Sequence, residues 1–117
     1  MVRVKRGVRT RERHNKTLSF TKGYRGTRSK LFKRANEAAM RAGQYQYRDR
    51  RTRKREMRKL WIQRINAASR QHGMPYNQLI SGLSQAGVEV DRKILADLAV
   101  RDPEAFGEFV TVAREAL

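Results

Sequence analysis

"RDRRTRKREMRKLWIQRI", Arg48 to Ile65, holds two kinds of helix in one run. Its first eight residues carry five arginines and one lysine against a single acid, Asp49. From Met57 the character changes. Met57, Leu60, Trp61, Ile65 and then Ala68 recur at helical spacing. Residues 48–56 have no aliphatic or aromatic side chain, and therefore no face to bury. Helices in proteins are stabilised mainly by packing such a face. Like charges at i,i+4, Arg50 with Lys54 and Arg51 with Arg55, oppose the helix further. The charged half is expected to be weakly helical alone and to be held by an anionic ligand. The apolar half is expected to belong to a folded body.

Toward the N-terminus, Leu31, Ala35, Ala38, Ala42 and Tyr45 recur at alternating spacings of four and three, one face of a helix. A single long helix is expected from near Ser29 to near Arg70. Gly43 costs about 1 kcal/mol there relative to alanine and is a candidate bend. Residues 1–27 show no sustained period. "KGYRGTRSK", Lys22 to Lys30, reads as a turn-rich connector. "TRERHNKTLSF", Thr10 to Phe20, could form a short helix whose only large apolar residues are Leu18 and Phe20.

Toward the C-terminus the punctuation is regular. Gly73 suits the position after a helix end, and Pro75 the first turn of the next helix. Leu79, Ile80, Leu83 and Ala86 form that helix's apolar face, and Gly87 ends it. Asp91 is the expected N-cap of a helix with Ile94, Leu95 and Leu98 inward. Asp102 and Pro103 open the last helix, which buries Phe106, Phe109, Val110 and Ala113. Residues 71–117 alone are too few for a secure core, so Trp61, Ile62 and Ile65 are expected to complete it. The fold class is all-α. A long basic N-terminal extension, residues 1–57, is turn-rich at first and then a long helix. A small helical globular domain follows at residues 58–117.

Charge follows the same division. The chain has 117 residues and a formal net charge of +17. Residues 1–70 hold 24 Lys+Arg against four acids, whereas residues 71–117 hold four against seven. Such an excess repels itself unless an anionic partner absorbs it, and nucleic acid is the first candidate. Arginine is the majority cation in residues 1–70, 17 against seven lysines. That bias suits bidentate phosphate contacts and stacking on bases.

Other classes have less behind them. There is no cysteine, so disulfide scaffolds and Cys-based zinc sites are excluded. No apolar run is long enough for a membrane span or a signal-peptide core, and a cytoplasmic location is expected. His14 and His72 lack metal-ligand spacing, so no metal and no cofactor are expected. Asp91 and Asp102 read as caps, and Asp97, Glu104 and Glu108 as a solvated face rather than paired catalytic carboxylates. With no nucleophile–base pair or phosphate loop, the chain reads as no enzyme and as having no small-molecule substrate. The alternative reading is a DNA-binding helix-turn-helix within residues 75–100. Its recognition helix would set Arg92 and Lys93 beside Asp91 and Asp97, on a net-negative body.

The sequence "KREMRKLWIQRINAASR", Lys54 to Arg70, resembles the signature of the bacterial large-subunit ribosomal protein numbered twenty. The matching positions are Lys54, Arg58, Leu60, Trp61, Ile62, Arg64, Ile65, Asn66 and Arg70. Gln63 stands where the family has a smaller residue. "RVKRG" at Arg3–Gly7, "AGQYQYRDRRTRKR" at Ala42–Arg55 and "DRKILADLA" at Asp91–Ala99 match as well. The resemblance covers nearly the whole chain. It implies an extension threaded through 23S rRNA, a helical domain docked on the solvent side of the subunit, and a role in early subunit assembly. It also implies neighbouring large-subunit ribosomal proteins as partners and, in several members, repression of translation of the protein's own mRNA.

The candidate rRNA contacts on the extension are Arg3, Lys5, Arg6, Arg9, Arg11, Arg13, Lys16, Lys22, Arg25, Arg28, Lys30, Lys33 and Arg34. The charged run adds Arg48, Arg50, Arg51, Arg53, Lys54 and Arg55. On the body the candidates are Arg58, Lys59, Arg64, Arg70, Arg92 and Lys93, the last five expected to share one positive edge. Each has a plainer reading as a solvated surface charge. The alanine stripe is read as close helix packing, and Trp61 as core rather than a base-stacking residue. For Tyr45 and Tyr47, stacking on nucleotides and simple packing stay open.

Overall fold

The computed structural model describes residues 3–117, and among these every regular element is helical. Helix α1 spans Gly7–Phe20 and a 3₁₀ turn spans Gly26–Ser29. Helix α2 runs Phe32–Gln71, 40 residues without interruption. Helices α3 (Tyr76–Gln85), α4 (Arg92–Arg101) and α5 (Pro103–Glu115) follow. By compactness the chain divides within α2, into residues up to Arg51 and residues Thr52–Leu117.

In the first unit, α1 forms over more residues than its apolar content suggested. The His14 imidazole stacks on the Phe32 ring, centroids 3.9 Å apart, and ties α1 to the first turn of α2. Gly23 and Gly26 adopt φ of 89° and 67° in the connector, a region that side-chain-bearing residues avoid. Little is buried. Ala35 and Thr21 are, and Ala38 and Ala42 are half-buried, but Leu31 and Tyr45 at the ends of the expected stripe are exposed. A stripe this short covers only its middle. The helix continues through Gly43, which has open space around it.

The second unit has the core. Ile65, Ala68, Met74, Leu79, Leu83, Leu95, Ala96, Phe106, Val110 and Ala113 form one buried cluster. Ile65 is fully buried, as the expectation that α2 completes the core requires. Trp61 is half-buried and packs against the cluster from its rim. Met57 and Leu60, further up the stripe, are exposed.

Glycine turns close α2 and α3 in the same way. The Met74 amide donates to the Ser69 carbonyl and the Gly73 amide to the Arg70 carbonyl, both at 3.0 Å. The Val88 amide donates to Leu83 at 2.9 Å and the Gly87 amide to Ser84 at 3.2 Å. These are paired 6→1 and 5→2 closures that need a left-handed residue, and Gly73 and Gly87 have φ of 76° and 71°. The Arg114 guanidinium adds a donor to the end of α2, 2.7 Å from the His72 carbonyl. Asp102 caps α5 as expected, accepting from the Ala105 amide at 3.1 Å with Pro103 in the first turn.

Four expectations for this unit are corrected. Pro75 stands at the N-cap of α3 rather than within its first turn. Ala86 is the exposed C-cap of α3, so it does not extend the apolar face. Asp91 occupies the N-cap of α4 but its side chain accepts no capping hydrogen bond. Ile94 is exposed, whereas Leu95 is buried and Leu98 packs half-buried against the core as expected, with Ala96 buried beside them.

Candidate nucleic-acid interface

The candidate cations are displayed, not buried. All are exposed except Arg92, which is half-buried. Charges kept in water cost little to hold there and remain available to an anionic ligand. In the first unit they line α1, the connector and the first half of α2. Arg6, Arg11 and Lys30 border a shallow groove between α1 and the start of α2, with His14, Leu18 and Phe32 in its wall. A second groove runs along the 3₁₀ turn and α2, with Tyr24, Arg28 and Arg34 on its sides. Arg34 is partly offset by Glu37, 3.1 Å away, an exposed pair of small energetic weight.

Arg41 lines that second groove too. It was not among the residues expected to bind, because it sits inside the alanine stripe. The signal was present in the spacing. Arg34, Arg41 and Arg48 are seven residues apart, so they follow one face of α2 with a slow drift.

Within the charged run the cations sort into two kinds. Arg48 donates through Nε to Asp49 at 2.8 Å, and its guanidinium carbon lies 4.8 Å from the centre of the Tyr45 ring. The hydrogen bond to Asp49, and then that residue's charge, raise the Arg48 pKa above its ordinary value. The Arg51 guanidinium lies 3.4 Å over the Tyr47 ring and donates to the Tyr47 carbonyl at 3.2 Å. In the second unit, Arg55 reaches the Thr52 hydroxyl at 3.4 Å. Arg50, Arg53 and Lys54 point into solvent, with no hydrogen bond or ion pair of their own among the described residues. Tyr45 and Tyr47 therefore neither pack into a core nor stand alone: each carries an arginine on its ring.

On the body, the single positive edge forms only in part. Arg64 and Lys93 meet in one groove with Trp61, and Arg101 joins them. Asp91 and Asp97 line the same groove, so it is mixed in sign. Asp97 pairs with Arg101 at 3.0 Å. Arg92 turns away, donating through Nε to the Tyr76 hydroxyl at 2.9 Å, and Arg70 donates to the Asn66 side chain at 3.2 Å. Lys59 does not reach the groove. The exposed part of Trp61 thus faces a groove with cations on its rim, while the rest of the indole supports the core.

Among the described residues no cluster of His, Asp and Glu could hold a metal ion, and no helix is long and apolar enough to cross a membrane.

Comparison with known proteins places this arrangement. The family described as ribosomal protein L20 matches residues 3–109. The large ribosomal subunit protein bL20 of Thermomicrobium roseum is 68% identical over all 117 residues and the whole of both chains. That of Roseiflexus castenholzii is 60% identical over 115 residues, 98% of each chain. That of Natranaerobius thermophilus is 56% identical over 117 residues and the whole of both chains. An all-helical chain with a cation-lined α2, matched from end to end by these proteins, belongs to the ribosomal protein L20 family.

Proposed function

We propose that the chain is a structural constituent of the large ribosomal subunit, resident with the ribosome in the cytoplasm, that binds 23S rRNA directly and supports early subunit assembly. The observation that carries this is the placement of its cations. They run along α1 and α2, exposed, over residues 48–56 that have no core beneath them. A surface of that kind serves a polyanion, and phosphate contacts would supply most of its affinity. The extension, residues 1–57, is the principal RNA-binding element, and the body, residues 58–117, adds contacts through the groove at Arg64 and Lys93. Neighbouring proteins of the subunit complete its surroundings. The same surface would engage the protein's own mRNA where that RNA imitates the rRNA site. The protein is structural, not an enzyme.

The DNA-binding reading lacks support. Of the cations opening α4, Arg92 is engaged with Tyr76, and Lys93 shares its groove with two carboxylates. Co-sedimentation separates the two readings. The full-length protein is expected to pellet with large ribosomal subunits stripped of it, and to wash off duplex DNA at a salt concentration that leaves the ribosomal complex intact. Equal retention on both would defeat the proposal.

A further inference from the structure

Within the charged run, Arg51 is built differently from Arg50 beside it. Two restraints act on the one guanidinium of Arg51: the Tyr47 ring beneath it at 3.4 Å and the Tyr47 carbonyl that one N–H reaches at 3.2 Å. Together they lay the side chain back along α2 and fix the plane of its head group. Tyr47 gains nothing from a core in doing so, because 57% of it is exposed. Arg50, by contrast, is held by no partner within the described residues.

A phosphate does not require that restraint. It accepts from a flexible cation that can extend toward it, and folding the arginine back shortens its reach. A flat cation with a fixed plane suits a stacked base. Duplex RNA hides its base edges in a deep, narrow groove, so proteins read sequence mainly at unpaired bases, splayed out onto aromatic rings or guanidinium planes. One face of the Arg51 guanidinium is already taken by Tyr47, and among the described residues no second ring covers the other.

We propose that Tyr47 is a positioning residue that fixes Arg51 as a stacking platform for an unpaired base of the bound RNA. The inference rests on the rRNA-binding reading and refines it. Within a segment that otherwise tracks the backbone, this pair reads a nucleotide that has left its helix. Arg48 over Tyr45, at 4.8 Å and tied to Asp49, is the looser version of the same device.

The test uses the full-length protein and two RNAs, a 23S rRNA transcript and a poly(A)·poly(U) duplex, each titrated across a range of salt. The duplex offers phosphates without unpaired bases. Tyr47→Leu removes the ring and no charge. It is expected to weaken binding to the 23S transcript roughly tenfold, the effect of losing one stacked base. Its affinity for the duplex and its salt dependence on both RNAs should stay at wild-type values. Tyr47→Phe keeps the ring and should bind both RNAs as the wild type does. The proposal is overturned if Tyr47→Leu binds the 23S transcript normally, if it loses affinity for both RNAs alike, or if Tyr47→Phe is as weak as Tyr47→Leu. Failure of the wild type to prefer the 23S transcript over the duplex would instead overturn the rRNA-binding reading itself.

Discussion

Replacing Gly82 with alanine should cost the body about 3 kcal/mol, the upper part of the range for overpacking a core. Helix propensity argues the opposite, since alanine is favoured over glycine in a helix interior by about 1 kcal/mol. The contact decides. An added Cβ would collide with the Ala113 carbonyl oxygen, with the Ala113 carbonyl carbon at 2.8 Å and its Cα at 2.9 Å. All three atoms are backbone, so no rotamer change relieves the overlap. Helix α3 would have to move off α5, opening the cluster that holds Leu79 and Leu83 of the one and Phe106 and Val110 of the other. For a domain of this size each kcal/mol moves the melting temperature by roughly 4–8 °C, so a drop beyond ten degrees is expected. Trp61, the only tryptophan and seated on the rim of this core, reports the transition by its fluorescence. Two controls set the scale. At Gly107 a Cβ meets only the His72 ring, 3.3 Å away, which can turn, so alanine there should cost less. At Gly43 there is nothing within 4 Å, and alanine should raise the helix content of α2. A Gly82→Ala protein that melts at or above the wild-type temperature would show that α3 and α5 do not meet backbone to backbone.

Reversing the charges of Arg50, Arg53 and Lys54 to glutamate should lower affinity for a 23S rRNA transcript on the order of a hundredfold or more at 0.1 M salt. These three are chosen because they have no partner among the described residues, so their loss disturbs no hydrogen bond or ion pair there. The diagnostic quantity is the salt dependence. Each phosphate contact contributes somewhat less than one unit to the slope of log affinity against log salt, so the variant should be shallower by roughly two to three. Stability of the body should not change, because none of the three touches its core. A variant that binds weakly with an unaltered slope would mean that these side chains act on the shape of α2 and not on phosphates.

The parts of this fold that could be read from sequence are those whose cause is local. Gly73 and Gly87 are required by the left-handed turns they occupy, and Asp102 with Pro103 opens α5 through a contact three residues long. The edge of the inward face of α4 has the opposite kind of cause. Leu95 and Leu98 turn to the core but Ile94 beside them is left exposed, and where the face stops is set by where α5 lies, not by α4. Nothing in the local sequence marks Gly82, because what it makes room for is 31 residues away at Ala113. In the candidate interface the cations were visible as a list, whereas their division into held and free was not. The i,i+4 spacing of Tyr47 and Arg51 permitted a contact, but only the placed side chains distinguish an arginine lying on a ring from one extended into solvent. Arg41 lies within the alanine stripe, and its seven-residue spacing from Arg34 and Arg48 marks the same face.

Asp102 closes α4 and opens α5 as a single residue, with its amide bonded to the Leu98 carbonyl at 2.9 Å and its carboxylate to the Ala105 amide. A corner made from one residue leaves no loop to close, and the connections through Gly73 and Gly87 are short, four and six residues. Helical domains built from such short-range connections fold in microseconds to milliseconds. Synthesis adds only about 5–20 residues each second, so the domain waits on the ribosome that makes it and not on its own search. The polycationic segment is made first and stays without a domain for the several seconds that the following residues take to appear. During that interval the new chain is an arginine-rich segment with no folded neighbour. The core is complete only once the helix that Asp102 opens has been made, because Phe106, Val110 and Ala113 belong to it.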